Sequence, residues 1–197
     1  MKKQNIILFV ILGILALFVI NGFMGYNKMV SKQEATSTAW AQVENVYQRR
    51  LDLIPNLVNT VKGAANFEQK TLTDVINARA NATSVKVDAS KLSADQISKF
   101  QASQGELSQA LGRLMVVAEQ YPQLKATENF KELQSQLEGT ENRIATERQK
   151  FNEVVKDYNT FIRKFPHVIY SGWFGFEKKG YFEADKGAEK APTVSFE

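Results

Sequence analysis

Any chemistry in this chain would have to be done with one histidine, no cysteine and scattered carboxylates. His167 follows Pro166, and no serine sits in a G-x-S-x-G elbow or an equivalent turn, so a nucleophile and its base have no framework. Zinc needs Cys and His ligands, and a di-iron bundle site needs two Glu-x-x-His pairs; the sequence can supply neither. A phosphorelay domain would carry its histidine on an exposed helix face, whereas His167 lies beyond the last long helical stretch. Glu138 and Glu141 are the nearest approach to an all-carboxylate metal pair, and they read as surface carboxylates on a solvated face. The expectation is a protein that is not an enzyme, with no catalytic residues, metal or cofactor.

Two other groups stand out. Arg49-Arg50-x-Asp52 has the form of an anion or partner site, and Thr140-Glu141-Asn142 is its natural counterpart. Both fall on helical seams, where buried polar groups fix register at some cost in stability. Arg50, Asp52, Thr140, Glu141, Glu147 and Arg148 are the expected structural polar seam. Near the C-terminus, Trp173, Phe174 and Phe176 are followed by Lys178 and Lys179. That composition suits lipid headgroups or a docking partner, or else it closes the open end of a bundle.

The elements that must position these residues begin with an apolar run. Residues 6–25 carry no charge, and Asn21 is their one strongly polar side chain. At 1.5 Å per residue the run spans about 30 Å, the hydrocarbon thickness of a bilayer. A cleaved signal would follow Lys2 and Lys3 equally well, but its apolar core is usually shorter, and Asn21-Gly22-Phe23-Met24-Gly25-Tyr26 offers no clean small-x-small site. An uncleaved single-pass anchor in the cell membrane is expected. Lys2 and Lys3 on one side nearly balance Lys28 and Lys32 on the other. The short basic start and long C-terminal domain lean towards placing the domain on the extracytoplasmic side. The net charge of +4 is dispersed rather than gathered into a stripe, so nucleic acid is not an expected partner.

Beyond the anchor, apolar residues recur in steps of three and four. One seam runs Trp40, Val43, Tyr47, Arg50, Ile54, Leu57, Val61, and another Ile97, Phe100, Gln104, Leu107, Leu111, Leu114, Ala118, Tyr121. The last runs Phe130, Leu133, Leu137, Thr140, Ile144, Glu147, Phe151, Val154, Tyr158, Phe161, Phe165, and a weaker helix lies between about Phe67 and Thr83. Gly63 stops the first helix, Ser93 with Gln96 forms a capping box, Tyr121-Pro122 ends the third helix and Thr127 is placed to cap the last. Pro55 interrupts the first seam, so a kink or break is expected there. The fold class is all-α: a long antiparallel up-down four-helix bundle preceded by one N-terminal transmembrane helix. The divisions are a short tail at 1–5, the anchor at 6–25, the bundle at 26–165 and an aromatic-rich C-terminal tail at 166–197.

This topology returns the last helix to the membrane end. With residues 28 and 163 level there, Trp40 meets Phe151, Tyr47 meets Ile144, Ile54 meets Leu137 and Val61 meets Phe130. Arg50 then faces Glu141, with Glu147 one turn away.

Tyr26-Asn27, Ala39-Trp40, Arg49-Arg50-x-Asp52-Leu53-Ile54-Pro55-Asn56-Leu57, Tyr121-Pro122-x-Leu124-Lys125-Ala126, Thr140-Glu141-Asn142-x-Ile144 with Arg148, Tyr158-Asn159, Phe165-Pro166 and Gly175-Phe176 together resemble the bacterial LemA family. The resemblance covers nearly all of the chain after the anchor. It implies a single-pass membrane protein with a long helical bundle, and it transfers no active site. Phe151-Asn152 departs from a frequent Tyr-Asn and removes a hydroxyl.

Two functions fit these residues. One is a membrane-anchored interaction or scaffold protein of the bacterial cell envelope, with protein partners and with homo-oligomerisation through the small Ser, Ala and Gln residues around Gln101 to Gln109. The other is a lipid-engaging envelope sensor or remodelling protein that uses the anchor and the aromatic tail together.

Overall fold

The computed structural model describes residues 3–63 and 67–184, and no strand forms among the described residues. The helices are α1 Lys3–Lys62, α2 Gln69–Ser84, α3 Ala94–Ala118, α4 Pro122–Ala126, α5 Glu128–Arg163 and α6 His167–Trp173. α1, α2, α3 and α5 form the up-down-up-down bundle, and α4 and α6 are short additions.

Anchor and first bundle helix are a single element. α1 runs for 60 residues without interruption, about 90 Å at 1.5 Å per residue. Its N-terminal part is long and apolar enough to cross a membrane, and none of that stretch is buried against the rest of the protein. The bundle part then pairs antiparallel with α5 along nearly the whole length of α5. This pair is the spine.

Pro55 lies inside α1 without ending it. A proline cannot donate to the carbonyl four residues back, so the Leu51 carbonyl loses its helical partner. Arg79 of α2 replaces it: its Nε donates to Leu51 O at 3.0 Å. The expected break is therefore absent because a guanidinium from the neighbouring helix supplies the missing N–H. Arg79 is half-buried and turned towards the spine.

Three apolar clusters stack along the spine. At the tip, Ile54, Leu57 and Val61 of α1 meet Leu72 and Val75 of α2, Leu107, Leu111 and Leu114 of α3, and Phe130 and Leu137 of α5. α2 is only 16 residues long against 36 for α5, so the fourth helical layer ends halfway down. In the middle cluster its place is taken by Val85, Val87, Ala89 and Leu92 of the α2–α3 loop and by Phe182 of the C-terminal segment, around Trp40, Phe100 and Phe151. At the base Met29 of α1, Tyr158 and Ile162 of α5 and Tyr170 of α6 cluster, with Phe161 and Phe176 packed against them.

Local signals act unevenly. Ser93 and Gln96 form both halves of the capping box that opens α3, and α1 ends one residue before Gly63. Thr127 precedes α5 but does not cap it; its hydroxyl donates to Leu124 O at 2.7 Å, closing the turn of α4 instead. The α5 seam also changes phase after Phe151. Val155 and Ile162 are buried where the heptad placed Val154 and Phe161, and Phe165 is 80% exposed. A helix drifts about 20° per heptad against a strict 3.5-residue repeat, and this stretch of α5 packs on α6 and the C-terminal segment as well as on α1.

The Leu51 carbonyl gives a direct test. Arg79→Met keeps the packing stem but removes the donor, and should cost about 1–3 kcal/mol. Pro55→Ala restores a backbone N–H, so the same Arg79 change made in that background should cost clearly less. Denaturant unfolding of the four chains in detergent, followed by circular dichroism, measures the coupling; strict additivity would contradict this account of Pro55.

Candidate functional site

The most heavily partnered polar group in the bundle is Arg50. It projects from α1 between the tip and middle clusters and is 1% exposed. Its Nη1 donates to Glu141 Oε1 of α5 at 2.7 Å and to Ser108 Oγ of α3 at 2.8 Å. Its Nη2 faces both oxygens of Gln104, the side-chain carbonyl and the backbone carbonyl. The Tyr47 ring lies 5.0 Å from the guanidinium carbon. One side chain thus ties three helices at a single level. Trp40 and Phe151 meet on the same register, with ring centroids 5.6 Å apart.

The remaining expected seam residues do not converge on this node. Thr140 is buried but bonds its own helix, donating to Gln136 O at 2.7 Å. Asp52 points outward and accepts from Gln48 at 2.7 Å. Glu147 is half-exposed and pairs with Lys150 at 2.7 Å on the same helix. Arg148 lies lower, donating to Glu183 O at 2.7 Å with its guanidinium 5.1 Å from the Phe182 ring. The seam contracts to Arg50 and Glu141, and Gln104 and Ser108 complete it.

Below this node the C-terminal segment 174–184 runs back up the bundle as an extended strap. Side-chain amides hold its backbone in pairs. Asn159 exchanges two hydrogen bonds with Lys179 at 2.9 Å each, and Asn152 does the same with Phe182. Gln101 of α3 clamps Glu183 from the other wall at 2.9 and 3.1 Å. The spacing is dictated by geometry: two turns of helix between the asparagines rise about 10 Å, as do three extended residues. Gly180 passes so close to α3 that a Cβ there would lie 2.6 Å from Ala94 Cα, and its N–H donates to Leu92 O at 2.8 Å.

The strap also redistributes the aromatic and cationic residues singled out from sequence. Trp173 and Phe174 are exposed, as is Lys178. Phe176 is half-buried against Tyr26, with ring centroids 5.7 Å apart. Lys179 is not a surface charge: it is 4% exposed, and its ammonium donates to the carbonyls of Ser90 and Lys91. Burial pushes its pKa below the ordinary lysine range, against the pull of Glu177 and Asp88. Burial likewise raises the Tyr158 phenol to about 12, and its hydroxyl donates to Glu177 O at 3.0 Å. Phe182 reaches the middle core, stacked 6.0 Å from Trp40. The i,i+7 pair Asn152 and Asn159, on an otherwise amphipathic helix, was the available sign of a bound extended segment.

Between α3, α5 and the strap, a groove of about 810 Å³ remains. Arg50 and Tyr47 form its floor, and Gln101, Gly105, Ser108 and Glu141 line its sides. Among the described residues no three or more His, Asp and Glu side chains gather to hold a metal.

Removing the buried guanidinium leaves a cavity and an unpaired Gln104, while half-exposed Glu141 returns to water, so Arg50→Ala should destabilise the bundle by about 2–4 kcal/mol. Lys150→Ala, at an exposed pair, should change stability by less than about 0.5 kcal/mol. Thermal melts of the two variants side by side check this, and equal melting would contradict the role given to Arg50.

Comparison with known proteins agrees with this architecture. The chain is 28% identical to magnetosome protein MamQ 2 of Paramagnetospirillum magneticum over 195 residues, covering 90% of this chain and 71% of that protein. Magnetosome protein MamQ of Magnetospirillum gryphiswaldense is 27% identical, with 92% of this chain and 72% of that protein covered. Protein LemA of Metamycoplasma hominis is 24% identical over 147 residues, covering 75% of this chain and 60% of that protein. The sequence profile of the LemA family matches residues 39–196, from the Ala39-Trp40 start of the first seam through the strap and beyond. The chain belongs to the LemA family, as a membrane-associated helical member.

Proposed function

We propose that this protein is a membrane-anchored helical scaffold of the bacterial cell envelope, with its bundle on the extracytoplasmic side. The observation that carries the reading is the continuity of α1. One uninterrupted helix supplies both the apolar anchor and one half of the α1–α5 spine, so the bilayer sets the pose of a rod about 55 Å long (37 residues at 1.5 Å). A rod held in this way presents its sides to neighbours. The exposed side of α3 carries Ala102, Ser108, Gln109 and Gly112, small or uncharged residues that allow close approach by a protein partner or a second copy. Neither the family description nor the relatives' names denote an enzyme. A second reading, engagement of lipid by the tail, draws on Trp173, which is 71% exposed, and on Phe174 beside it.

The chain has no cysteine, so single cysteines report cleanly. A photo-crosslinker attached at Gln109 or Gly112 should give discrete protein adducts in native membranes, while one at Lys156 on the outer face of α5 should give none. A membrane-impermeant maleimide should label the same Gln109→Cys protein in intact cells. Lipid adducts without protein adducts at every position would overturn scaffolding in favour of the lipid reading.

A further inference from the structure

Twelve consecutive residues, 165–176, contain no Asp, Glu, Lys or Arg, and they fold back onto the anchor. α6 starts at His167, whose ring lies 3.0 Å from where a Cβ on Gly25 would stand, and Tyr170 lies 3.5 Å from the same position on Gly22. The Tyr170 hydroxyl donates to Phe18 O at 3.1 Å, with the two rings 5.1 Å apart. From His167 to Tyr170 the contacts therefore move from Gly25 to Phe18, about 10 Å back into the apolar run at 1.5 Å per residue. The chain then turns at Gly175, whose φ of +72° suits glycine, and returns with Phe174 and Phe176 on either side of Tyr26 at 5.0 and 5.7 Å.

Several polar groups of this hairpin are paired within it or with α5, while His167 Nδ1 is buried without a partner. The Ser171 hydroxyl reaches the carbonyls of Ile162 and Val168, Phe176 N–H donates to Ser171 O, and Phe174 N–H donates to Tyr170 O. Its outer side is apolar and open: Phe165 is 80% exposed, Val168 49%, Ile169 36%, Trp173 71% and Phe174 52%. At the same level of α1, Phe23 and Met24 are also exposed and apolar. Basic residues rim it, with Lys28 on α1 and Arg163 and Lys164 at the end of α5 all exposed.

We propose that residues 165–176 are a second, non-spanning membrane insertion. The α6 hairpin lies in the same leaflet as the C-terminal end of the anchor, with Phe165, Val168, Ile169, Trp173 and Phe174 among the acyl chains and the basic rim at the headgroups. Backbone near hydrocarbon must pair its polar groups internally, and the N–H groups of Val168, Ile169, Phe174 and Phe176 do so. A tryptophan with one apolar and one polar edge is suited to that depth. The occupant is lipid because α6 packs alongside Phe18, Gly22 and Gly25, within the apolar run long enough to cross a bilayer. The inference rests on the membrane-anchored reading and adds a second attachment point, which fixes rotation of the rod about α1.

The test uses the full chain in vesicles whose phospholipids carry bromine on the acyl chains, with Trp173→Phe to isolate the Trp173 component of the fluorescence. Trp40 is fully buried and serves as an internal silent reference. The expected result is co-flotation with the vesicles and quenching of most of the Trp173 emission, strongest for bromines near the headgroup end of the chains. Co-flotation with Trp173 emission insensitive to brominated lipid would overturn the insertion and leave the face to water, a protein partner or a second copy. Failure to co-float would overturn the anchor itself, a result separate from the first.

Discussion

A guanidinium removed from water needs partners from every direction, and that requirement organises this bundle. Arg50 meets it at both terminal nitrogens, with Glu141 on α5 and with Ser108 and Gln104 on α3, and leaves only its Nε unpaired. Sliding α5 by one turn would move Glu141 out of reach and leave a charge buried without a counter-charge, a cost that packing at a new register would not offset. The ion pair therefore acts less as a source of stability than as a pin. Once it is set, Trp40 meets Phe151 below it and the leucine layers close above it.

From that pin the asymmetry of the bundle follows. α2 contributes only to the tip, so a plain four-helix arrangement would leave the lower half of the spine open on one side. The α2–α3 loop and the strap fill it with Leu92 and Phe182, and the strap is held by side-chain amides because no neighbouring strand offers a ladder. Lys179 then fastens the strap to the loop through two carbonyls. The C-terminal residues up to Ala184 are thus structural parts of the bundle rather than an appended tail. The base is closed by α1, α5 and α6 with Phe176 of the strap packed against them.

The sequence carried the helices with strong periodicity. Every expected seam position of α3 from Ile97 to Ala118 is buried, and the Ser93 capping box is a local signal that needs no tertiary context. Arg50 and Glu141 were legible together because a charge on an apolar seam requires an opposite charge at a computable level. Other features depended on partners distant in sequence. Pro55 is tolerated only because Arg79 arrives from another helix. The strap has no period of its own, and its recognition residues, Asn152, Asn159 and Gln101, are spread over two helices. The change of phase after Phe151 reflects two neighbours competing for one helix, which a single-seam reading does not represent.

Anchor and bundle thus form one continuous body in which α1 passes from the bilayer into the core without a hinge, braced at its base by α6 and at its tip by Arg79. The absence of native cysteine allows spin labels to be placed at Leu12 and Gln42, both exposed on α1, in protein reconstituted into lipid. Double electron–electron resonance should give one narrow distance distribution near 45 Å, the rise of thirty helical residues. A broad distribution, or one centred well below that value, would show a hinge between anchor and bundle and contradict the rigid continuity on which the account depends.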